Sequence, residues 1–376
     1  MQILHLYRPR LPEMRAQAIQ VLHTCHALAT LGHEVTLIAD REATFKGDAT
    51  EALAAYGLEP VTGLRLQLAA HSHPTAAGIE FRAELLRWLL TRRDVRDRPI
   101  LYARSKRLSL RALRLQSLLP FRLVLEAHEV DSLQAQERGE DPRLLRSLEA
   151  RVLGRAEALV TNCEGTMALL ESTHAGSLPA PRRVIHNGTH PERARLPPLP
   201  SLNAGPRVAG YVGSIRAYKE VRALGEAAPL LPEGIVLRVI GGHETDPGLD
   251  ALVRYLSPRL RWSPGVPYTE VPERLGELHA LVLCLGNDLY ARRLASPLKL
   301  WDYLATDRPL VLPELPSIRD IVGDDPGEGM RFYMVGDAPS LARAIEEAVR
   351  SPPRAPRVRS WQDRAREIDA LLAERP

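Results

Sequence analysis

The chain alternates short apolar, β-rich runs with helix-length segments, and it does so on both sides of a proline-rich break. Residues 2–6 and 34–39 are such runs, and between them Arg15 to Leu31 shows helical periodicity ending at Gly32. A strand–helix–strand opening of this kind demands a parallel sheet. Further strand-like runs at 100–103, 122–127, 158–161 and 183–185 alternate with helical stretches near 79–92, 106–118, 142–155 and 164–172. The segment PERARLPPLPSLNAGP (191–206) has little periodicity and the composition of a linker. Alternation then resumes, with strands at 207–212, 236–240, 260–262, 280–285 and 309–312. The pattern predicts two doubly wound α/β domains, 1–190 and 207–355, joined through 191–206. Residues 356–376 hold a final amphipathic helix that could pack back on the first domain. Domains of this class bind ligands at the carboxyl ends of their strands, so two of them are expected to face one cleft.

Length and composition agree with that reading. A chain of 376 residues is comfortable for two cores, and 45% hydrophobic with 26% charged residues is the balance of a globular protein. No apolar run approaches the roughly 18–20 residues that span a bilayer. The start, MQILHLYRPR, reads as a first strand entering a polar loop rather than as a signal peptide, so a cytoplasmic location is expected. Cys25, Cys163 and Cys284 are far apart within apolar runs, which points to buried free thiols and away from a zinc site. The net charge is only +4, but Arg82, Arg87, Arg92, Arg93, Arg96, Arg98, Arg104, Lys106, Arg107, Arg111 and Arg114 crowd one stretch. That stretch is either a solvated face or a dock for an anionic membrane surface or a lipid-linked phosphate. Nucleic acid is disfavoured, since aromatic residues make up 5% and no recognition motif is present.

Three strand ends and one helix start carry the candidate chemistry. VAGYVGSIRAYK (208–219) is a strand ending at Gly213, followed by a loop and Lys219; LRVIGG (237–242) is a strand ended by two glycines. Gly265 to Pro267 precede a short helix from Thr269. Each alone is an ordinary strand-to-helix turn where backbone could approach a ligand. In SPLKLWDYLATDRPLV (296–311), Ser296 is an N-cap type and Pro297 suits the first helical position. Unpaired amides there beside Lys299 would attract an anion, and Asp302, about one turn on, could accept from a ribose. Lysines are scarce, only Lys46, Lys106, Lys219 and Lys299, so two of four fall in these motifs.

Taken in order, VIHNG (184–188), GYVGSIRAYK, LRVIGG, WSPGVPYTEVPERL (262–275) and SPLKLWDYLATDRPLV resemble the retaining, nucleotide-sugar-dependent glycosyltransferases of family four. HALATLGHEVTLIA (26–39), LEAHEV (125–130) and EALVTNCEGTMALL (157–170) extend the resemblance through the first half. It implies a GT-B fold: two Rossmann-like doubly wound domains facing across a cleft, donor held by the second. Lys219 then matches the lysine that neutralises the donor diphosphate, and Ser296, Pro297, Leu298 and Lys299 the helix start that cradles it. Asp302 stands for a ribose-binding Glu, Gly265 and Val266 for the loop that reads the base, and His128 for a histidine reaching the donor sugar. Gly213, Ser214, Arg216, Gly241 and Gly242 line the donor side; Arg15, Glu129 and Asn187 the acceptor side.

The chain departs from the family at three places. Ser214 occupies a position usually held by Arg, with Arg216 two residues on as a substitute. Leu294 replaces an acid eight residues before Asp302. The loop RPRLPEM lacks paired glycines, which leaves Arg15 to take a phosphate or acceptor. With no D-x-D motif, the leaving diphosphate is expected to be met by Lys219, Lys299 and Arg216 without a metal or other cofactor, and the acceptor hydroxyl to attack from the donor's front face. Asp288 and Glu129 are outside candidates for a nucleophile. The resemblance implies an enzyme of cell-envelope glycan or glycolipid synthesis; the alternatives are a non-catalytic nucleotide-sugar-binding homologue or a nucleotide-sugar epimerase.

Overall fold

The computed structural model describes residues 1–70, 74–92, 98–197, 205–215, 219–242, 247–325 and 327–374. The chain divides into two units, Met1–Gly188 with Trp361–Pro376, and Thr189–Ser360. The proline-rich stretch thus opens inside the second unit, where Pro191–Ala194 forms a 3-10 turn.

In the first unit the strands are β1 (Gln2–Leu6), β2 (Arg10–Leu11), β3 (Glu34–Arg41), β4 (Leu64–Leu68), β5 (Ile100–Ala103), β6 (Arg122–Ala127), β7 (Ala158–Thr161) and β8 (Arg182–Val184). They form one sheet in the order β2-β3-β1-β5-β6-β7-β8, with β4 also on β3, and every pairing is parallel. β1 sits centrally, with Ile3 opposite both Val35 and Ile100. Runs such as ILYA and ALVT are buried throughout, as strands covered on both faces must be. In this unit the sequence reading missed β2 and β4. The first is two residues long, and the second, LRLQL, is a half-exposed strand with little hydrophobic contrast.

The final helix, Trp361–Ala373, belongs to this unit, and Trp361 stacks on His23 of the Ala16–Thr30 helix at 5.3 Å. Its Arg364 is fully buried. The guanidinium donates to Glu126 Oε1 at 2.6 Å, to the Ile185 carbonyl at 2.6 Å, to the His186 carbonyl at 3.0 Å and to Thr24 Oγ1 at 3.2 Å. The same Glu126 oxygen accepts from Gln20 at 2.7 Å and lies 2.6 Å from His128 Nε2. Burial alone would raise the Glu126 carboxyl, but Arg364, His128 and Arg104 outweigh it and hold it well below the carboxylate range. Desolvating two charges is costly, and only this density of hydrogen bonds makes the pair tolerable.

The second unit contains β9 (Arg207–Val212), β10 (Ile235–Ile240), β11 (Leu260–Ser263), β12 (Ala280–Val282), β13 (Leu310–Pro313) and β14 (Met330–Tyr333). Its sheet runs β11-β10-β9-β12-β13-β14, again all parallel. Strand alternation splits the core into two layers. Ala209, Tyr211, Leu237, Val239, Ala280, Val282 and Val311 pack under the helices Arg222–Ala227, Pro247–Val253 and Ala338–Ala348. Val212, Ile240, Leu281, Leu310 and Leu312 pack under Val271–Gly276, Leu298–Leu304 and Pro316–Val322. The predicted strand 280–285 is assigned only through Val282; Leu283, Cys284 and Leu285 remain buried beyond it, and the Leu283 amide still donates to the Val311 carbonyl at 2.9 Å.

Truncating Arg364 leaves Glu126 charged and buried, so Arg364→Met should cost about 3–5 kcal/mol of stability in urea unfolding, and adding Glu126→Leu should restore most of it. Equal loss in both variants would assign the cost to packing instead. Acid should act through the buried histidines. His5, with neither ring nitrogen hydrogen-bonded, is pushed down to about 3 by burial, and His128 to about 4 by burial and Arg104. Both bind protons more readily when unfolded, so their stability contribution is complete above pH 6.5 and is lost as pH falls toward those values. The melting temperature should fall across that window, and His5→Met should shrink the slope.

Candidate functional site

The strand order of the second unit, 3-2-1-4-5-6 in its own chain order, reverses direction between β9 and β12, the point where sheets of this type bind ligands beyond their strand ends. The glycines stand there. Gly213 follows β9 with φ 140°, Gly241 and Gly242 follow β10 with φ 144° and 71°, and Gly265 follows β11. A Cβ on Gly241 would fall 1.9 Å from the Gly213 carbonyl oxygen, so the two loops touch backbone to backbone. The Gly213 amide donates to Ile240 at 2.8 Å, the Gly241 amide to Ser263 at 3.0 Å and the Gly265 amide to Gly242 at 2.9 Å. Trp262 closes the set by donating to the Gly241 carbonyl at 2.9 Å.

Lys299 comes down on this glycine floor. Its Nζ would lie 2.6 Å from a Cβ on Gly213 and sits 3.5 Å from the centroid of the Tyr211 ring. The nitrogen is buried and has no hydrogen-bond partner among the described residues. Burial, and then the positive charge of Lys219, hold the ammonium well below the usual lysine range. Two lysines close enough to repel each other form a site that gains most from an anion. Glu220, directly after Lys219, adopts φ 47°, a left-handed conformation that a side chain tolerates only where its surroundings enforce it.

The helix carrying Lys299 starts later than the sequence predicts. Pro297, not Ser296, is the N-cap, and the helix is Leu298–Leu304. Ser296 is buried, and its hydroxyl accepts from the Trp301 indole at 3.4 Å instead of capping the helix. Asp302 is already engaged: one oxygen accepts from the Thr189 hydroxyl and lies 3.2 Å from Arg193 Nε. Arg193 is buried with its guanidinium 4.4 Å from the Tyr268 ring, linking Asp302 to the loop that carries Gly265 and Val266. Ser214 is exposed, and its carbonyl accepts from Tyr211 at 2.7 Å. Leu294 is a fully buried apolar side chain, and Asp288 caps the turn at Tyr290–Leu294 by accepting from the Ala291 amide at 2.7 Å. Arg216 lies outside the described residues.

In the first unit His128 follows β6, with its Nε2 against Glu126. Glu129 is half-buried, and burial and Asp131 raise its carboxyl; its carbonyl accepts from Lys106 at 2.6 Å. Asn187 is buried, and Arg15 occupies the N-cap position of the Ala16–Thr30 helix, paired with Glu13. The basic stretch is not one face. Lys106 is buried against Glu149 at 2.9 Å and Asp131 at 3.0 Å, Arg104 donates to Gln20 at 2.5 Å, and Arg92 covers Trp88 at 4.6 Å. Arg87 pairs with Glu84 and Arg98 with Glu157, which leaves Arg82, Arg107, Arg111 and Arg114 as its other exposed members among the described residues. Arg93 and Arg96 lie outside the described residues.

Sequence reasoning missed Tyr211, Arg193, Glu126 and Arg364. A side chain inside an ordinary run carries no signal of the partner it meets in a distant segment. Among the described residues no cluster of three or more His, Cys, Asp or Glu side chains could hold a metal ion. No helix among them is long and apolar enough to cross a membrane.

The chain matches the model of a glycosyl transferase 4-like domain over residues 16–188 and that of the glycosyl transferases group 1 over residues 206–351. No curated protein matches the sequence. Among solved structures it resembles sucrose-phosphate synthase from Thermosynechococcus elongatus, with TM-score 0.69 and 16% identity over 99% of this chain and 95% of that one. HepE of Anabaena, solved with UDP-glucose, gives TM-score 0.66 and 12% identity over 98% and 94%. WaaG, a glycosyltransferase involved in lipopolysaccharide biosynthesis, gives 0.63 and 15% over 98% and 95%. At these identities the likenesses establish the fold, and the two domain matches together cover most of the sequence. The chain therefore belongs to the family-four-like glycosyltransferases of GT-B fold.

Proposed function

We propose that this glycosyltransferase moves a sugar from a nucleoside-diphosphate sugar to a hydroxyl acceptor with retention at the anomeric carbon, and that its second unit holds the donor. The observation that carries the reading is the buried Lys299 ammonium, without a hydrogen-bond partner and electrostatically coupled to Lys219, on a floor of glycine backbone. A diphosphate supplies the missing negative charge. As the anomeric carbon–oxygen bond breaks, negative charge builds on the leaving phosphate, and fixed ammonium groups stabilise that charge without a metal. The neighbour solved with UDP-glucose supports a nucleotide-sugar donor.

Donor roles follow by position. Gly265 and Val266 face the base, Asp302 offers its remaining acceptor capacity to the ribose while Arg193 and Thr189 fix its orientation, and Gly213, Ser214, Gly241 and Gly242 contribute backbone. His128, kept neutral by burial with Glu126 at its Nε2, is the candidate for the donor-sugar contact that the family resemblance implies. Arg15, Glu129 and Asn187 serve the acceptor. A role at an anionic membrane rests on Arg107, Arg111 and Arg114 with Leu118, which is 77% exposed beyond them, and fits a lipid-linked glycan acceptor made on the cytoplasmic side.

Lys219→Ala and Lys299→Ala should each lower turnover by roughly 10²–10³, as loss of a preorganised charge-stabilising donor does in other enzymes. Full activity of either variant in a nucleotide-release assay removes that lysine from the site. Turnover should survive chelation by EDTA; its loss, restored by a divalent cation, would overturn the metal-free mechanism. Because an anion raises the pKa of a depressed lysine, UDP binding should take up protons. Calorimetry in buffers of different ionisation enthalpy checks this, and proton uptake should vanish in Lys299→Met.

A further inference from the structure

At the carboxyl ends of β1 and β3 the first unit holds a cavity of about 220 Å³ lined by Arg8, Arg10 and Arg15 with Glu13, Asp40 and Tyr7. Its wall is built rather than loose. β2 pairs with the end of β3, the Asp40 amide donates to Pro9 at 2.8 Å and the Glu42 amide to Leu11 at 2.9 Å. Tyr56 donates to the Glu13 carbonyl at 2.8 Å, and Tyr7 to Gln17 at 2.6 Å. The loop thereby brings three arginines to line one hollow without needing glycine.

The charges do not balance. Asp40 takes Arg8 through Nε at 3.1 Å and Nη2 at 2.8 Å, on one oxygen, and Glu13 takes Arg15 through Nε. Arg10 has no carboxylate within ion-pair distance among the described residues, so three cations face two anions. Each guanidinium carries five donors, and a single carboxylate leaves several of them unspent. Polar walls, a surplus charge and planar donor forks select a tetrahedral oxyanion over a neutral sugar. The Ala16–Thr30 helix adds its uncapped start, with no acid in its first turn, but the arginines carry the argument.

We propose that this cavity is a subsite for a phosphate group on the acceptor. The assignment rests on the glycosyltransferase reading above. Lys219 and Lys299 of the second unit already answer the donor diphosphate, so cationic capacity in the first unit belongs to the other substrate. The acceptor is then a phosphorylated sugar or polyol, free or as a lipid headgroup.

The test uses full-length protein, wild type, Arg10→Ala/Arg15→Ala and Lys219→Ala, all checked for folding by circular dichroism; Arg10 and Arg15 are exposed, so the double variant should fold. Titration with glucose 6-phosphate against glucose should give binding at least about tenfold tighter for the phosphate, lost in the double variant and kept in Lys219→Ala. Sedimentation with vesicles of phosphatidylcholine and phosphatidic acid, against phosphatidylcholine alone, probes the headgroup source. Loss of the vesicle response alone in the double variant assigns a lipid phosphate, and loss of the glucose 6-phosphate response alone assigns a soluble one. If the double variant responds to both probes as wild type does, or wild type responds to neither, the subsite is overturned. UDP titration separates the two readings: it should be unchanged in the double variant, and its failure in wild type would sink the donor assignment while leaving the phosphate result to stand.

Discussion

A buried amine without a hydrogen-bonding partner among the described residues, that of Lys299, is the constraint around which the second unit is arranged. Folding gains nothing from burying such a group, and burial together with Lys219 works against its ionisation. The surrounding features make sense as accommodation. Gly213 leaves room that a Cβ would fill, Tyr211 offers a ring face in place of a carboxylate, and Gly241 lets the neighbouring loop close to backbone contact. Each weakens the local structure on its own terms, and together they hold a dry amine whose protonated form an anion would favour.

The first unit solves the opposite problem. There the buried charge is negative, on Glu126, and it is answered within the protein by Arg364, Gln20 and His128. A second buried carboxylate, Glu149, is met in the same way by Lys106, Ser132 and His174. Both networks lie at or beyond the carboxyl end of β6 and fix the backbone from His128 to Ser132. One unit neutralises its buried charge internally, and the other buries an amine with no carboxylate bonded to it among the described residues.

Much of this was legible in the sequence, and the reasons are physical. Parallel strands covered on both faces read as unbroken apolar runs, so most of the sheet could be found by eye, and glycines at strand ends mark the places where backbone must come close. Lys219 and Lys299 stood out because lysine is rare in this chain. β2, β4 and β14 escaped because none of them offers an unbroken apolar run or a periodic signal. Ser296 misled because capping preference is local, whereas its real partner, Trp301, competes through burial. The crowding of arginines between 82 and 114 looked like one surface because sequence proximity says nothing about which side of a helix or strand each residue occupies; Lys106 and Arg104 turn inward. Arg193, Arg364 and Tyr211 were silent because their meaning lies in contacts with distant segments.

The ion pair between Arg364 and Glu126 ties a helix that follows the second unit in sequence to the middle of a sheet laid down much earlier. When β1 through β8 have left the ribosome, the carboxylate on β6 still lacks its guanidinium, and the groove for Trp361 beside His23 is open. The intervening unit, 189–360, is synthesised before this helix. The first unit therefore receives Trp361 and Arg364 only after the whole of the second has been made.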